Sequence, residues 1–224
     1  MGSIGTGIYT PREVAAFAGI SPSRLSRWIY GYTFETRGQA RQSAPLVARE
    51  RGDGPSLTFL DLVEVLFVKS FLDQGVKMKT IRLAAQKAVG QLGTHHPFAV
   101  QRFETDGRKI FAMLDHKDKA ATTMLNVVDG QASFASIIAR YMREIDYDKL
   151  GDAFRWWPLG KNEPVFADPK FSFGVPLTKS GHVPTRAIHC AIKAGDSPED
   201  VARWFDIPLE EVCAAEKFQR RLAA

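Results

Sequence analysis

TPREVAAFAGISPSRLSRW, residues 10–28, reads as two short helix patterns joined at a glycine. Thr10 can cap the first helix, Pro11 suits its first position and Glu13 can close a capping box. Val14, Phe17 and Ala18 give it an apolar face, and Gly19 can take a positive φ at the turn. Ser21-Pro22 starts a second helix, expected to reach Tyr30 and to stop at Gly31. The small Ala15, the permissive turn and the locking residues Ile20, Leu25 and Trp28 are what a helix-turn-helix needs. Its second helix would turn Ser23, Arg24, Ser26, Arg27 and Tyr30 outward.

The pattern returns near the other end as SPEDVARWFDIPLEEVCAA, residues 197–215. Without a gap, Val14 meets Val201, Ala15 Ala202, Phe17 Trp204, Ile20 Ile207 and Leu25 Val212. These are read as the positions where paired helices touch. Arg24 and Arg27 become Glu211 and Ala214. The first copy is therefore expected to meet a polyanion, and the second, with Glu210, Glu211 and Glu216, to be repelled by phosphate.

The charge distribution agrees with that division. The chain has 224 residues and a net charge of +5. Residues 1–54 hold seven arginines against four acidic residues, whereas residues 167–224 balance eight basic against eight acidic ones. Two cysteines, Cys190 and Cys213, exclude a dense disulfide framework and suit a reducing, cytoplasmic setting. No apolar run approaches the ~18 residues of a membrane span, and the opening residues lack a signal-peptide pattern.

Between the copies, the spacing predicts helices over 61–74, 79–92 and 131–145. PLVARE (45–50) and SLTF (56–59) flank Arg51-Gly52-Asp53-Gly54-Pro55 and are expected to form a wing of two short strands. FAVQRFE (98–104) and KIFAML (109–114) flank an Asp-Gly turn and predict a second hairpin. The aromatic and proline-rich stretch 155–173 suggests short strands, and helices follow over 185–194, 197–205 and 208–222. The fold class is mainly α with small β elements (α+β). A winged helix-turn-helix spans 1–93, a central α+β unit with a β-hairpin 94–165, and a three-helix domain 166–224.

In the first copy, arginine suits bidentate pairing with guanine, while serine and tyrosine suit phosphate. Arg37, Arg41, Arg49 and Arg51 in the wing region are candidates for DNA backbone or minor groove. No catalytic, cofactor or metal site is expected. His182, His189, Cys190 and Cys213 lack paired metal-ligand spacing and read as buried thiols and surface histidine. Asp115, Asp118 and Asp129 have no general-acid partner, and Trp156-Trp157 suits a core or interface better than a stacked base.

YTPREVAAFAGISPSRLSRW, a wing, then FLDLVEVLFVKSFLDQGVKMKTIR (59–82) resembles the winged DNA-binding domain of MerR-like regulators. The longer loop 32–55 and the absence of a long coiled coil after Leu92 depart from that family. DPKFSFGVPLTKSGHVPTRAIHCAIKAGDSPEDVARWFDIPLEEVCAAEKFQ (168–219) resembles a small three-helix domain of bacterial antitoxins. Asp168-Pro169, Gly174, Pro176, Gly181, Val183, Gly195, Val212, Ala215 and Phe218 carry that likeness. Together the two resemble the longer VapB-type antitoxins. The resemblance implies a non-enzymatic homodimer that binds double-stranded DNA at its own promoter and holds a PIN-domain ribonuclease toxin inactive. Lys217, Arg220 and Arg221 would be the basic residues offered to the toxin. The alternatives are a MerR-like regulator that answers a small ligand without a toxin, and an enzyme whose chemistry lies in the middle unit.

Overall fold

The helix-turn-helix forms as its capping residues dictate. A computed structural model of the chain describes residues 7–36, 38–46, 56–107, 110 and 130–223, with the backbone alone for 130–135. Helix α1 spans Pro11–Ala18, and Thr10 and Glu13 close the expected capping box. Gly19 ends it at φ 61°, a left-handed turn that costs glycine nothing. Helix α2 spans Pro22–Tyr30, capped by the Ser21 hydroxyl, which accepts from the Arg24 N–H at 3.3 Å.

The wing is displaced from the position the sequence suggests. Strands β1 (Tyr32–Thr36) and β2 (Gln39–Ser43) pair antiparallel, Tyr32 opposite Ser43 and Phe34 opposite Arg41. Gly31 (φ 73°) lets the chain leave α2 directly into β1, and a Cβ there would strike the Ser43 carbonyl. The Arg-Gly-Asp-Gly-Pro stretch drew the expected wing downstream, but residues 47–55 lie outside the described ones. Leu57 does not enter a hairpin. It exchanges backbone hydrogen bonds with Tyr9 at 2.8 and 2.7 Å, closing the front of the domain.

Helices α3 (Phe59–Asp73) and α4 (Met78–Leu92) then pack behind the reading unit. The second expected hairpin is replaced by a 3-10 turn at Pro97–Ala99 and helical backbone at 103–107. The reason is aromatic packing. Phe98 stacks on Phe67 of α3 at 4.2 Å between centroids, and Phe103 meets both edge-on. The Phe98 N–H, which a strand ladder would have used, donates to buried Glu64 Oε1 at 2.7 Å. Burial pushes the Glu64 carboxyl up in pKa against that hydrogen bond. KIFAML apart from Ile110 lies outside the described residues.

Helix α5 (Gly130–Met142) stops short of the expected end, and Ile145–Tyr147 becomes strand β3, paired with β4 (Ala153–Trp156). Strands β5 (Val165–Phe166) and β6 (Leu177–Thr178) form a small ladder. Helices α6 (Thr185–Ala194), α7 (Pro198–Phe205) and α8 (Leu209–Ala223) complete the chain. The fold is mainly α with small antiparallel β elements.

One continuous core runs from Tyr9 to Ala167 and takes in Ala214 and Phe218 of α8. At its centre Phe17, Trp156 and Phe218 form an aromatic triangle with centroids 5.9–6.4 Å apart. A residue from the front, one from the middle and one from the last helix thus share one contact. Trp157 is buried too, so both tryptophans of the pair are packing residues. Tyr9 adds a second tie, its hydroxyl donating to the Gly174 carbonyl at 2.8 Å. The last three helices keep a small core of their own around Ile188, Val201, Ile207 and Val212.

Candidate nucleic-acid interface

Helix α2 is anchored on one side by Leu25, Trp28 and Ile29, all at most 3% exposed. Ser23, Arg24, Ser26, Arg27 and Tyr30 occupy the opposite, exposed side. This is the 3.6-residue period at work: three apolar anchors face the core and the polar residues between them face solvent. Arg24 lies over the Trp28 ring at 5.3 Å and Arg27 over the Tyr32 ring at 5.6 Å. These contacts hold the guanidinium stems while leaving their donors available.

The exposed face continues into the ribbon. Alternation places Tyr32, Phe34 and Arg41 on one side of β1–β2, next to Arg27. Tyr32 and Phe34 pack at 5.7 Å, yet stay 41% and 40% exposed. The ribbon thereby presents an aromatic surface flanked by two arginines, contiguous with the reading helix. Its stem is held by the Leu46 N–H to the Trp28 carbonyl at 2.7 Å and by Arg82 of α4 to the Ala44 carbonyl. Arg37, Arg49 and Arg51 lie outside the described residues. Arg41 is exposed in β2.

Sequence reading missed Tyr32 and Phe34, although YTFET alternates with the period of a strand. The glycine-rich loop downstream offered a stronger turn signal, and glycine content alone does not say which turn closes a hairpin. It also missed Arg82, whose role depends on α4 folding back against the ribbon stem.

The second copy folds alike but faces differently. Ser197 caps α7 as Thr10 caps α1, and Val201, Ile207 and Val212 are buried as their counterparts require. Three expectations fail. Trp204, matched to Phe17, is 64% exposed, so that position is not a helix–helix contact. Glu211, matched to Arg24, is 5% exposed and accepts the Ser180 N–H at 2.9 and 3.2 Å. Ala214, matched to Arg27, is 3% exposed in the main core. Of the α8 positions that match the reading face, Glu211 and Ala214 are buried while Glu210, Cys213 and Lys217 stay exposed, and the neighbouring Phe218 docks the helix onto α1 and β4. Buried side chains cannot reach base edges whatever their charge, so phosphate repulsion by Glu211 is not the deciding term.

The remaining C-terminal candidates are held within the fold. Lys217 Nζ meets Glu163 at 2.5 Å, Arg220 Nε meets Glu216 at 2.8 Å, and Arg221 donates to the Pro158 carbonyl at 2.9 Å. His189 bonds Glu216 at 2.7 Å, and the His182 ring lies 4.5 Å from that of Phe171. The two thiols, expected to be buried, are exposed. Among the described residues no three His, Cys, Asp or Glu side chains converge as metal ligands. Asp115, Asp118 and Asp129 lie outside those residues. No described helix is long and apolar enough to cross a membrane.

The geometry of α1, α2 and the ribbon is that of a DNA-binding helix-turn-helix domain. Residues 7–85 match the family described as "Putative DNA-binding HTH domain". The chain also resembles the X-ray crystal structure of Rv2018 from Mycobacterium tuberculosis, with a TM-score of 0.66 at 17% identity. That match covers 92% of this chain and 96% of the other, so the likeness of fold extends beyond the helix-turn-helix. No curated protein matches the sequence.

Proposed function

We propose that the protein is the DNA-binding antitoxin of a toxin–antitoxin pair, repressing its own promoter as a homodimer and holding a PIN-domain ribonuclease by direct contact. The observation that carries the reading is the contrast between the two ends. The front exposes a cationic reading helix. The C-terminal domain instead buries the residues that match Arg24 and Arg27, and exposes Trp204 at 64%, Leu209 at 41% and Phe205 at 36% around the α7–α8 turn. Adjacent large apolar side chains in water favour a protein partner.

The MerR-like character of the front and the antitoxin-like character of the end, taken from their sequence patterns, support the same assignment. On this reading the chain has no catalytic role. Of the basic residues offered to the nuclease carboxylates, Arg220 is the freest: it is 74% exposed and held only within its own helix. Lys217 and Arg221 lie beside it, tethered to the loop at 158–163.

Co-expression with the product of the neighbouring reading frame, followed by affinity capture, tests the proposal. A stoichiometric complex that is lost in Trp204→Glu, with operator binding retained, is expected. A chain that captures no neighbour product, or a complex indifferent to Trp204→Glu, would overturn it.

A further inference from the structure

Behind the helix-turn-helix lies a cleft of about 650 Å³ between the end of α1, α3, α5, β4 and the tail of α8. Its size falls in the range of about 300–1,000 Å³ typical of small-molecule sites. Four cations line it: Lys69, Arg140, Arg143 and Arg221. Among the described residues two acids face them, Asp73 and Glu144. Asp73 is neutralised by Lys69 at 2.5 Å. Burial pushes the Glu144 carboxyl up in pKa against the pull of Arg221 and Arg140, so its charge is the costlier one to keep. Among the described residues the guanidinium groups therefore outnumber the acids that line the cleft.

The arginines are not equally engaged. Arg221 donates to the Pro158 carbonyl and Arg143 Nε to the Ala139 carbonyl at 3.3 Å. The Arg140 side chain makes no hydrogen bond or close ion pair with the described residues, and acts on Glu144 only through its charge. Phe17, Ile137 and Trp156 supply an apolar floor. A cationic rim over an aromatic floor recognises a particular chemistry: an anionic head that accepts bidentate hydrogen bonds, on an apolar body.

We propose that this cleft is a binding site for a small amphipathic organic anion, a carboxylate or phosphate ester with a ring-sized apolar body, held by Arg140. The site is separate from both the reading helix and the Trp204 patch, and stands whether or not a toxin partner exists. An occupant would touch Phe17 and Ala18, the last turn of α1, and Arg221 of α8, which are the elements that fasten the two ends together.

Calorimetric titration of the full chain with 1-naphthoate, 1-naphthyl phosphate and neutral 1-naphthamide tests the assignment. At least one anion is expected to bind saturably at one site per chain. The amide should bind at least about tenfold more weakly, since a charge-assisted hydrogen bond is lost. Arg140 is exposed, so Arg140→Ala and Arg140→Gln should stay folded and weaken the anion by a similar factor. Arg186→Ala, an exposed arginine on α6, should leave binding unchanged. The anion that binds better reports whether carboxylate or phosphate is preferred. The site is refuted by an absence of saturable binding to either anion up to millimolar concentration. Equal binding of the amide, or equal weakening by Arg186→Ala and Arg140→Ala, refutes it as well.

Discussion

The two helix-turn-helix units share caps, turns and interior residues, and part company in what each does with its second helix. Helix α2 rests on Leu25, Trp28 and Ile29 and leaves its polar side in solvent. Helix α8 is buried on two sides. Val212 and Ala215 face its own partner helices, while Ala214 lies in the main core and Phe218 packs there against Phe17 and Trp156. One motif has thus become a reading head and the other a clasp that holds the reading head's first helix. A helix-turn-helix pattern specifies how two helices pair. It does not specify which remaining face meets water.

The sharpest way to break the comparison is to give the clasp the reader's residue. Ala214→Arg inserts an unpaired cation where 3% of the residue is exposed, and should destabilise the fold by about 3 kcal/mol or more. Phe218→Ala, removing one corner of the aromatic triangle, should cost a similar 3–5 kcal/mol or so. Urea unfolding measures both. Arg27→Cys or Arg27→Ala in the reader should do the opposite. Folding should change by less than about 0.5 kcal/mol, because the side chain is exposed. Operator affinity should fall by about 1–3 kcal/mol, together with selectivity at one base pair, in a gel-shift series.

Glu211 separates the copies at a smaller scale. Glu211→Ala leaves the Ser180 N–H without its acceptor and should cost about 1–3 kcal/mol of stability without touching DNA affinity. Its counterpart Arg24→Ala should spare stability and weaken DNA binding. Arg41→Ala on the ribbon should weaken binding to all sequences alike and lower the salt slope by about one.

The smallest effect is a pH response in the clasp. Burial tends to raise the Glu216 carboxyl, but hydrogen bonds from His189 and Arg220, and their charges, outweigh it and hold the pKa below its usual value. A carboxyl depressed in the folded state stabilises it above the unfolded pKa. That stability is lost as pH falls from about 4.5 through the folded value. Glu216→Gln should therefore flatten the acid side of the stability profile, followed by thermal unfolding across pH.

Much of this was legible in the chain. Thr10, Glu13 and Ser21, with Gly19, wrote the front motif, because caps and left-handed turns are local requirements that few residue types meet. The exposed face of α2 followed from its period. The helices α3, α4 and α6 to α8 followed from their apolar spacing. The ribbon was misplaced because two glycine-bearing segments competed for one turn, and strand pairing is a non-local choice. The hairpin expected around Asp106-Gly107 gave way because Phe98 and Phe103 gain more by packing on Phe67 than by lining a two-stranded ribbon.

The sequence by itself determined that there are two helix-turn-helix units and that the first carries the cations. Only the tertiary structure decided that the residues matching Arg24 and Arg27 in the second are buried. The charge of Glu211 did not settle it, since that side chain is spent on a backbone N–H in the adjoining loop. What settled it was Phe218 finding aromatic partners about 200 residues upstream, in α1, and in β4, with Ala214 buried in the same core. Burial of that face against distant surface is set by how whole elements come together. Residue spacing within one helix carries no record of it.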